Sequence, residues 1–325
     1  MGHGGAIRGF TMRHRRIIGS GLWVGLILWL VGCAGEEAPE AVSADEVLPA
    51  TVDRRADAPE STDLGGTTRP DPTVAADRPA ADLESYAALL GETVTPDGLV
   101  RYRLLAEPGR RDRLEAVVGY FAEAALPPGP EQRLALWCNA YNANVLRAVV
   151  HEREQADFSS VIDVPGFFDA RQITVAGEGM TLIELENLRI RPMGDPRTHG
   201  ALVRGGMSCP PLRSEPYAGP RLDEQLDEQC RRWVAEPRTC RIVDDEIGLS
   251  EVMKWHSEDF QAMPFGSVPG FVLAYADPAG AVARYIVNSD HLRIRWLDYD
   301  WTVNEASGEE ISCASNVDRV VEPTP

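Results

Sequence analysis

The sequence predicts an α+β fold in which helices pack against a small, largely antiparallel sheet as a single domain. Three observations lead there. Through the first two-thirds of the region that begins at residue 83, apolar residues recur three and four positions apart, as one face of a helix requires. Towards the end, short runs typical of strands take over, separated by turn residues. All 8 tyrosines, and every phenylalanine except Phe10, fall after residue 82, which places the hydrophobic core there.

From residue 83 the elements follow in order. LESYAALL (83–90) reads as a short helix packed through Leu83, Tyr86, Leu89 and Leu90. The turn Pro96-Asp97-Gly98 leads into LVRYRLL, which reads as a strand. Residues 110–125 form a helix with Leu114, Val117, Val118, Phe121 and Ala125 on one face, stopped by Pro127 and Pro128. The helix at 131–152 has a stripe of Leu134, Trp137, Tyr141, Val145 and Ala148. It also carries Asn139, Asn142 and Asn144, which compete for main-chain hydrogen bonds and form helices poorly.

Residues 158–166 read as a loop, with Phe167-Phe168 plugging the core beside it, and 172–176 as a short strand. Thr181 caps the next helix, with Glu184 in the reciprocal position of a capping box. Capping accounts for Glu184 and leaves Glu186 as the better functional carboxylate. A helix follows at 222–234, a brief strand at 241–243, and a helix capped by Ser250 that ends near Phe260. After the loop at 264–270 comes a structured segment at 271–275. Residues 282–285 and 292–297 read as antiparallel strands joined at Asn288-Ser289-Asp290. Tyr299-Asp300-Trp301 then sets a carboxylate between two aromatic rings.

Chemistry concentrates in DPRTHGALVRGGMSCPPL, residues 195–212. His199 and Cys209 are the minimum kit for covalent catalysis, and equally part of a soft metal site. Prolines suit the first turn of a helix, so Cys209 is expected at a helix start, where the macrodipole favours thiolate. The alternatives are an inert buried thiol or half of a disulfide for Cys209, and a structural hydrogen-bonded role for His199. Asn139 and Asn142, three apart on one helix face, either tie down a loop through buried amide bonds or serve a reaction by orienting a histidine or polarising a carbonyl.

The first 82 residues read differently. Arg13, His14, Arg15 and Arg16 precede the apolar run IIGSGLWVGLILWLVG and then Cys33, the layout of an export signal. About sixteen apolar residues are short for a membrane crossing. Leu30-Val31-Gly32-Cys33 resembles the bacterial lipobox, in which the signal is cut before a cysteine that is then lipidated. The expected organisation is a lipoprotein signal peptide at 1–32, a lipidated Cys33 with a disordered acidic, Pro- and Ala-rich tether at 33–82, and a globular domain at 83–325. Met12 is an alternative start. Ala34, rather than aspartate, after the cysteine leans towards the outer membrane, facing the periplasm. The tether is too poor in apolar residues to offset the entropy of ordering it.

The net charge is -18, which argues against nucleic acid and anionic headgroups as partners. Lipid on Cys33 would supply the membrane contact. Of the 6 cysteines, five remain once Cys33 is acylated, so one at least is unpaired in a monomer. Cys230 and Cys240 are the favoured disulfide and Cys209 the favoured free thiol.

Several segments together resemble the DUF547 family, a bacterial family with plant relatives, named as a domain of unknown function. They are LWCNAYNANV from Leu136, the GFF triplet at Gly166, TLIELENLRIR from Thr181, and DPRTHGALVRGGMSCPPLRSEPY from Asp195. RLDEQLDEQCRRW from Arg221, LSEVMKWHSEDF from Leu249 and YDWTVN from Tyr299 continue the series. The resemblance implies a shared domain and no established chemistry. Members usually carry Glu-His where this chain has Glu186-Asn187, and commonly a cysteine at the position of Arg204.

The leading expectation is a periplasmic thiol hydrolase or acyl-transferase acting on amide, peptide or thioester bonds. Cys209 would be nucleophile, His199 general base and Glu186 its orienting carboxylate, with Asn139 or Asn142 polarising the carbonyl. His256 and His291 are other candidates for the base. The competing expectation is a non-enzymatic envelope lipoprotein that binds a peptide, a glycan or another envelope protein. A metal site of His199, Cys209 and an acid ranks third, because no compact ligand motif is present. No cofactor and no metal ligand is assigned.

Overall fold

Helix α4 (Pro130–Glu152) is the axis on which the first half of the domain is assembled. Sixteen of its 23 residues are buried, including all three asparagines. The structure is a computed structural model and describes residues 82–155 and 157–307. The expected signal, Cys33, the tether up to residue 81 and Cys313 lie outside the described residues. Mixed α+β architecture with dominant helices and small sheets is what the chain adopts.

Before α4 come α1 (Leu83–Thr93), α2 (Tyr102–Leu105) and α3 (Pro108–Glu123). The hairpin β1 (Ile173–Val175) and β2 (Glu178–Met180) follows it, antiparallel, with Ile173 opposite Met180. Helix α5 (Leu182–Leu185) starts at the expected capping box: Thr181 Oγ1 accepts from the Glu184 N–H, and the Glu184 carboxylate from the Thr181 N–H. It runs on through a π-turn at Glu186–Ile190. One helical turn, α6 (Thr198–Ala201), carries His199. These elements share one core, into which α4 sends Trp137, Tyr141, Val145 and Val149.

A second core lies under α7 (Leu222–Ala235), where Cys230, Trp233 and Val234 meet β3 (Cys240–Val243) and β4 (Glu246–Ser250). Helices α8 (Glu251–Trp255) and α9 (Val268–Tyr275) complete it. Strands β3 and β4 are antiparallel, while β5 (Ile294–Leu297) joins β4 in parallel.

Five local expectations need correction. Residues 99–105 are not a strand: Val100 makes isolated bridges to Val94 and Glu305, and the chain turns at once into α2. Residues 282–285 belong to helix α10 (Ala281–Asn288), whose Val282, Tyr285 and Ile286 sit at helical spacing against the second core. Because a helix replaces the first strand of that pair, β5 finds β4 instead, and in parallel. The helix capped by Ser250 ends at Trp255, with a separate 3-10 turn at Asp259–Gln261. Cys209 does not open a helix, since the chain stays irregular after Pro210 and Pro211 and α7 begins only at Leu222.

Cys230 and Cys240 are both free. The Cys230 thiol points at the Arg197 carbonyl (3.7 Å) and lies against Gly200, whereas Cys240 is paired through its main chain with Leu249. Burial pushes Cys230 well up and Cys240 to about 12, as for thiols packed as small apolar groups.

The last described segment stitches these parts together. The N–H groups of Met207 and Ser208 donate to the carbonyls of Thr302 and Asp300, and that of Asn304 donates to Gly205. The Val303 N–H reaches the Ser159 carbonyl, and the Val100 N–H reaches Asn304. This strap holds the 204–209 loop and sets Tyr299 over Cys209.

Candidate functional site

The loop from Arg204 to Cys209 is wrapped around a sulfur atom. Gly205 adopts φ +80°, and a Cβ there would come within 3.1 Å of Val161 and 3.2 Å of Val149, so the turn requires glycine. The turn aims the Arg204 and Gly206 N–H groups at Cys209 Sγ, at 3.0 and 3.2 Å, and the Tyr299 hydroxyl lies 3.0 Å from the same atom. Burial raises the Cys209 thiol above its ordinary pKa. The Tyr299 hydroxyl, the Arg204 charge and the two N–H groups oppose that rise without cancelling it. Cys209 is a free thiol, as expected.

His199 does not approach that sulfur to hydrogen-bonding distance. Its Nε2 lies 2.7 Å from Asp259 Oδ2, and its Nδ1 is buried without a partner. The orienting carboxylate is therefore Asp259, from the 3-10 turn after α8, and not Glu186. Burial raises Asp259, but the His199 hydrogen bond and the Arg191 guanidinium outweigh it and hold the carboxyl at about 2. Arg191 grips Asp259 with two nitrogens, at 2.8 and 3.1 Å.

Glu186 lies in the π-turn and faces inward, 5% exposed, in a buried ion pair with Arg204, itself 6% exposed. His256, at the end of α8, completes the group. Its Nε2 lies 3.3 Å from Arg204 Nη2 and 3.4 Å from Glu186 Oε1, and its ring stacks on His199 with centroids 4.1 Å apart and planes 17° from parallel. A guanidinium only donates, so the geometry assigns His256 Nε2 as acceptor and its proton to Nδ1, which has no partner. Burial, then the neighbouring His199 ring and the Arg204 and Arg191 guanidiniums, hold the ring well below the ordinary histidine pKa.

The structure thus gathers Glu186 and His199 of the expected set into one buried cluster and keeps Cys209 at its edge, touching it through the Arg204 main chain. The two asparagines are elsewhere. Asn139 clamps the Tyr217 main chain, donating to its carbonyl and accepting from its N–H at 2.8 Å each. Asn142 donates to the Ala201 carbonyl and accepts from the Val203 N–H, both at 3.0 Å. Each amide gives one donor and one acceptor bond to main chain, as in the loop-tying alternative. His291 is exposed and apart from the cluster.

Arg204, His256, Asp259 and Tyr299 are the members of the site to which sequence proximity assigned no role beyond a substitute base at His256. The motif WHSEDF held the only signal for His256 and Asp259. Among the described residues, Glu186, His199 and His256 offer three possible metal-ligand atoms within 4.8 Å of one another, a group different from the His199–Cys209 set expected for a metal. Asp259 and His199 also floor a surface cleft of about 180 Å³, walled by Arg191, Asp195, Thr198 and Glu258.

Residues 128–234 match the family model described as "Protein of unknown function, DUF547". No curated protein and no solved structure matches the chain. The matched stretch contains Glu186, His199, Arg204 and Cys209, and ends before His256, Asp259 and Tyr299. Of the two positions noted as departures from the family pattern, Asn187 is exposed and accepts at 2.9 Å from Arg191, the residue that holds Asp259. Arg204 stands at the centre.

Proposed function

We propose that residues 83–325 are a binding domain of a lipid-anchored envelope protein, and that the buried polar cluster is architecture holding its shape. The observation that carries this reading is the separation of thiol from imidazole. Cys209 Sγ hydrogen-bonds to two main-chain N–H groups and Tyr299, His199 to Asp259, and His256 to Arg204. A general base works within hydrogen-bond reach, directly or through one water, of the proton it removes, and neither histidine hydrogen-bonds to the thiol directly. The raised thiol pKa points the same way.

Trp255, Tyr299 and Trp301 support a binding role. These half-buried rings form one aromatic group at 4.4–5.9 Å spacing beside Cys209, of the kind against which peptides and sugars pack. Anchoring through Cys33 rests on the lipobox-like LVGC and the tether after it. Among the described residues no helix is long and apolar enough to cross a membrane.

The hydrolase or acyl-transferase reading stands second. The cradle at Cys209 favours it, since two N–H donors and a phenol hydroxyl would also stabilise a thiolate. Labelling the whole protein with a small thiol probe across pH, against Cys209→Ser, separates the two. The binding reading expects Cys209 to label slowly, at a rate still rising above pH 9 (about the ordinary thiol pKa). A Cys209 rate that levels off near neutral pH would overturn it in favour of the enzyme.

A further inference from the structure

The cluster at Glu186 has the composition of a transition-metal site, with a guanidinium at its centre. Glu186 Oε1 and His256 Nε2 are 3.4 Å apart, both contact Arg204 Nη2, and His199 contributes a third ligand atom within 4.8 Å of the others. Ligands around a tetrahedral zinc sit ~3.3 Å apart, from bond lengths near 2.0–2.1 Å. Glu186 Oε1 and His256 Nε2 already stand at that separation, and the His199 atom, within 4.8 Å of both, needs only a small movement to join them. His256 already turns an acceptor nitrogen inward. His199 keeps a buried, partnerless Nδ1 while Asp259 holds its Nε2, the carboxylate–histidine arrangement that supports metal-bound imidazoles.

We infer that Glu186, His199 and His256 form a latent zinc-type site whose cation is supplied by the Arg204 side chain, and that removing this guanidinium turns the domain into a metal binder. Arg204 donates to the same carboxylate and the same imidazole that a metal would use. It is buried, and its remaining Nη1 has no partner in the protein. A divalent cation cannot enter while the guanidinium stays, because two cations carrying three positive charges would share one carboxylate in a dry site. With a neutral side chain at 204, the Glu186 charge is left uncompensated, and a soft divalent ion with two imidazoles is the chemistry that answers it.

The test uses the full chain and Arg204→Met, which keeps the aliphatic length of the side chain. Zinc and cobalt(II) are the probes and magnesium the control. The expected result is one equivalent of cobalt bound by Arg204→Met, with d–d bands in the visible and no sulfur-to-cobalt charge transfer in the near ultraviolet, so that no cysteine is a ligand. Saturating zinc should raise its Tm by about 5 °C or more, magnesium should not, and Arg204→Met/Glu186→Gln should lose the effect. Wild type should bind neither ion at this site. The inference is overturned if wild type takes up the same nitrogen- and oxygen-bound cobalt, or if folded Arg204→Met takes up none. Should Arg204→Met be obtained only unfolded, refolding decides: recovery of native near-UV circular dichroism with zinc and not magnesium supports the site, and no recovery with zinc counts against it.

Discussion

Glu186→Gln is the sharpest single perturbation of this domain. Glu186 and Arg204 are 5% and 6% exposed, so the substitution leaves a buried guanidinium without its counter-charge. Breaking a buried pair from one side costs about 3–5 kcal/mol, because the orphaned charge stays desolvated. The glutamine carbonyl still accepts a hydrogen bond, which returns about 1 kcal/mol. The net loss is therefore about 2–4 kcal/mol, or a Tm lower by ~4–16 °C for a domain of this size. Urea unfolding of the full chain at pH 7, followed by tryptophan fluorescence, measures it. Arg204→Met alone and the double variant complete a cycle, and the pair should show a coupling of about 2 kcal/mol or more. Glu92→Gln is the control: that carboxylate meets Arg110 and Arg113 at 2.7–2.9 Å but is 38% exposed, so its loss should cost less than about 1 kcal/mol. A loss below about 0.5 kcal/mol at Glu186, or simple additivity in the cycle, would refute the account of a desolvated, mutually dependent pair.

Acid should weaken the domain in two stages, since both groups concerned bind more protons unfolded than folded and stability therefore falls as pH falls. His256, held well below 6.5, gives a loss that begins as pH drops through about 6.5 and that His256→Gln removes. Asp259, shifted from 3.8 to about 2, gives a second loss between roughly pH 5 and 2, of up to about 2 kcal/mol, and Asp259→Asn removes it; urea midpoints across pH record both. Gly205→Ala combines a φ of +80° with a Cβ pressed on Val161 and Val149, and should cost about 1–3 kcal/mol in the same unfolding assay. Asn139→Ala severs both hydrogen bonds to Tyr217 and should lose about 2 kcal/mol while the Cys209 labelling rate stays that of wild type, because Asn139 serves the 217 loop and not the thiol.

The elements that were legible in the sequence are those whose signal is local. Helices α1, α3, α4 and α7 declare themselves by spacing, and α5 and α8 begin at Thr181 and Ser250 because each side chain satisfies a helix N–H within a few residues. The errors occur where a distant partner decides. Val100 pairs with Glu305, some two hundred positions away, as well as with nearby Val94. AVARYIVN has the β-branched content of a strand, but its apolar positions fit a helix resting on the second core, and that packing overrides propensity. The parallel pairing of β5 with β4 follows from where α10 returns the chain, and no turn motif announces it.

The same division separates the legible from the hidden parts of the site. Proximity in sequence joined His199 to Cys209, yet in space His199 belongs with His256 and Asp259, about sixty positions away. The asparagines of α4 drew notice as poor helix formers, and their reward proves to be main-chain clamps. What no pattern conveyed is the electrostatics of the centre. Glu186 faces the Arg204 guanidinium, and Asp259 faces Arg191, which it shares with Glu258, across a His256 ring held neutral. Asp259 lies at the cleft and can draw on solvent, but Glu186 cannot, and among the described residues Arg204 is the cation in contact with it. Arg204 is therefore the residue that decides the character of the site: with it the cluster is a closed, self-neutralised strut, and without it the same ligands form an open negative centre.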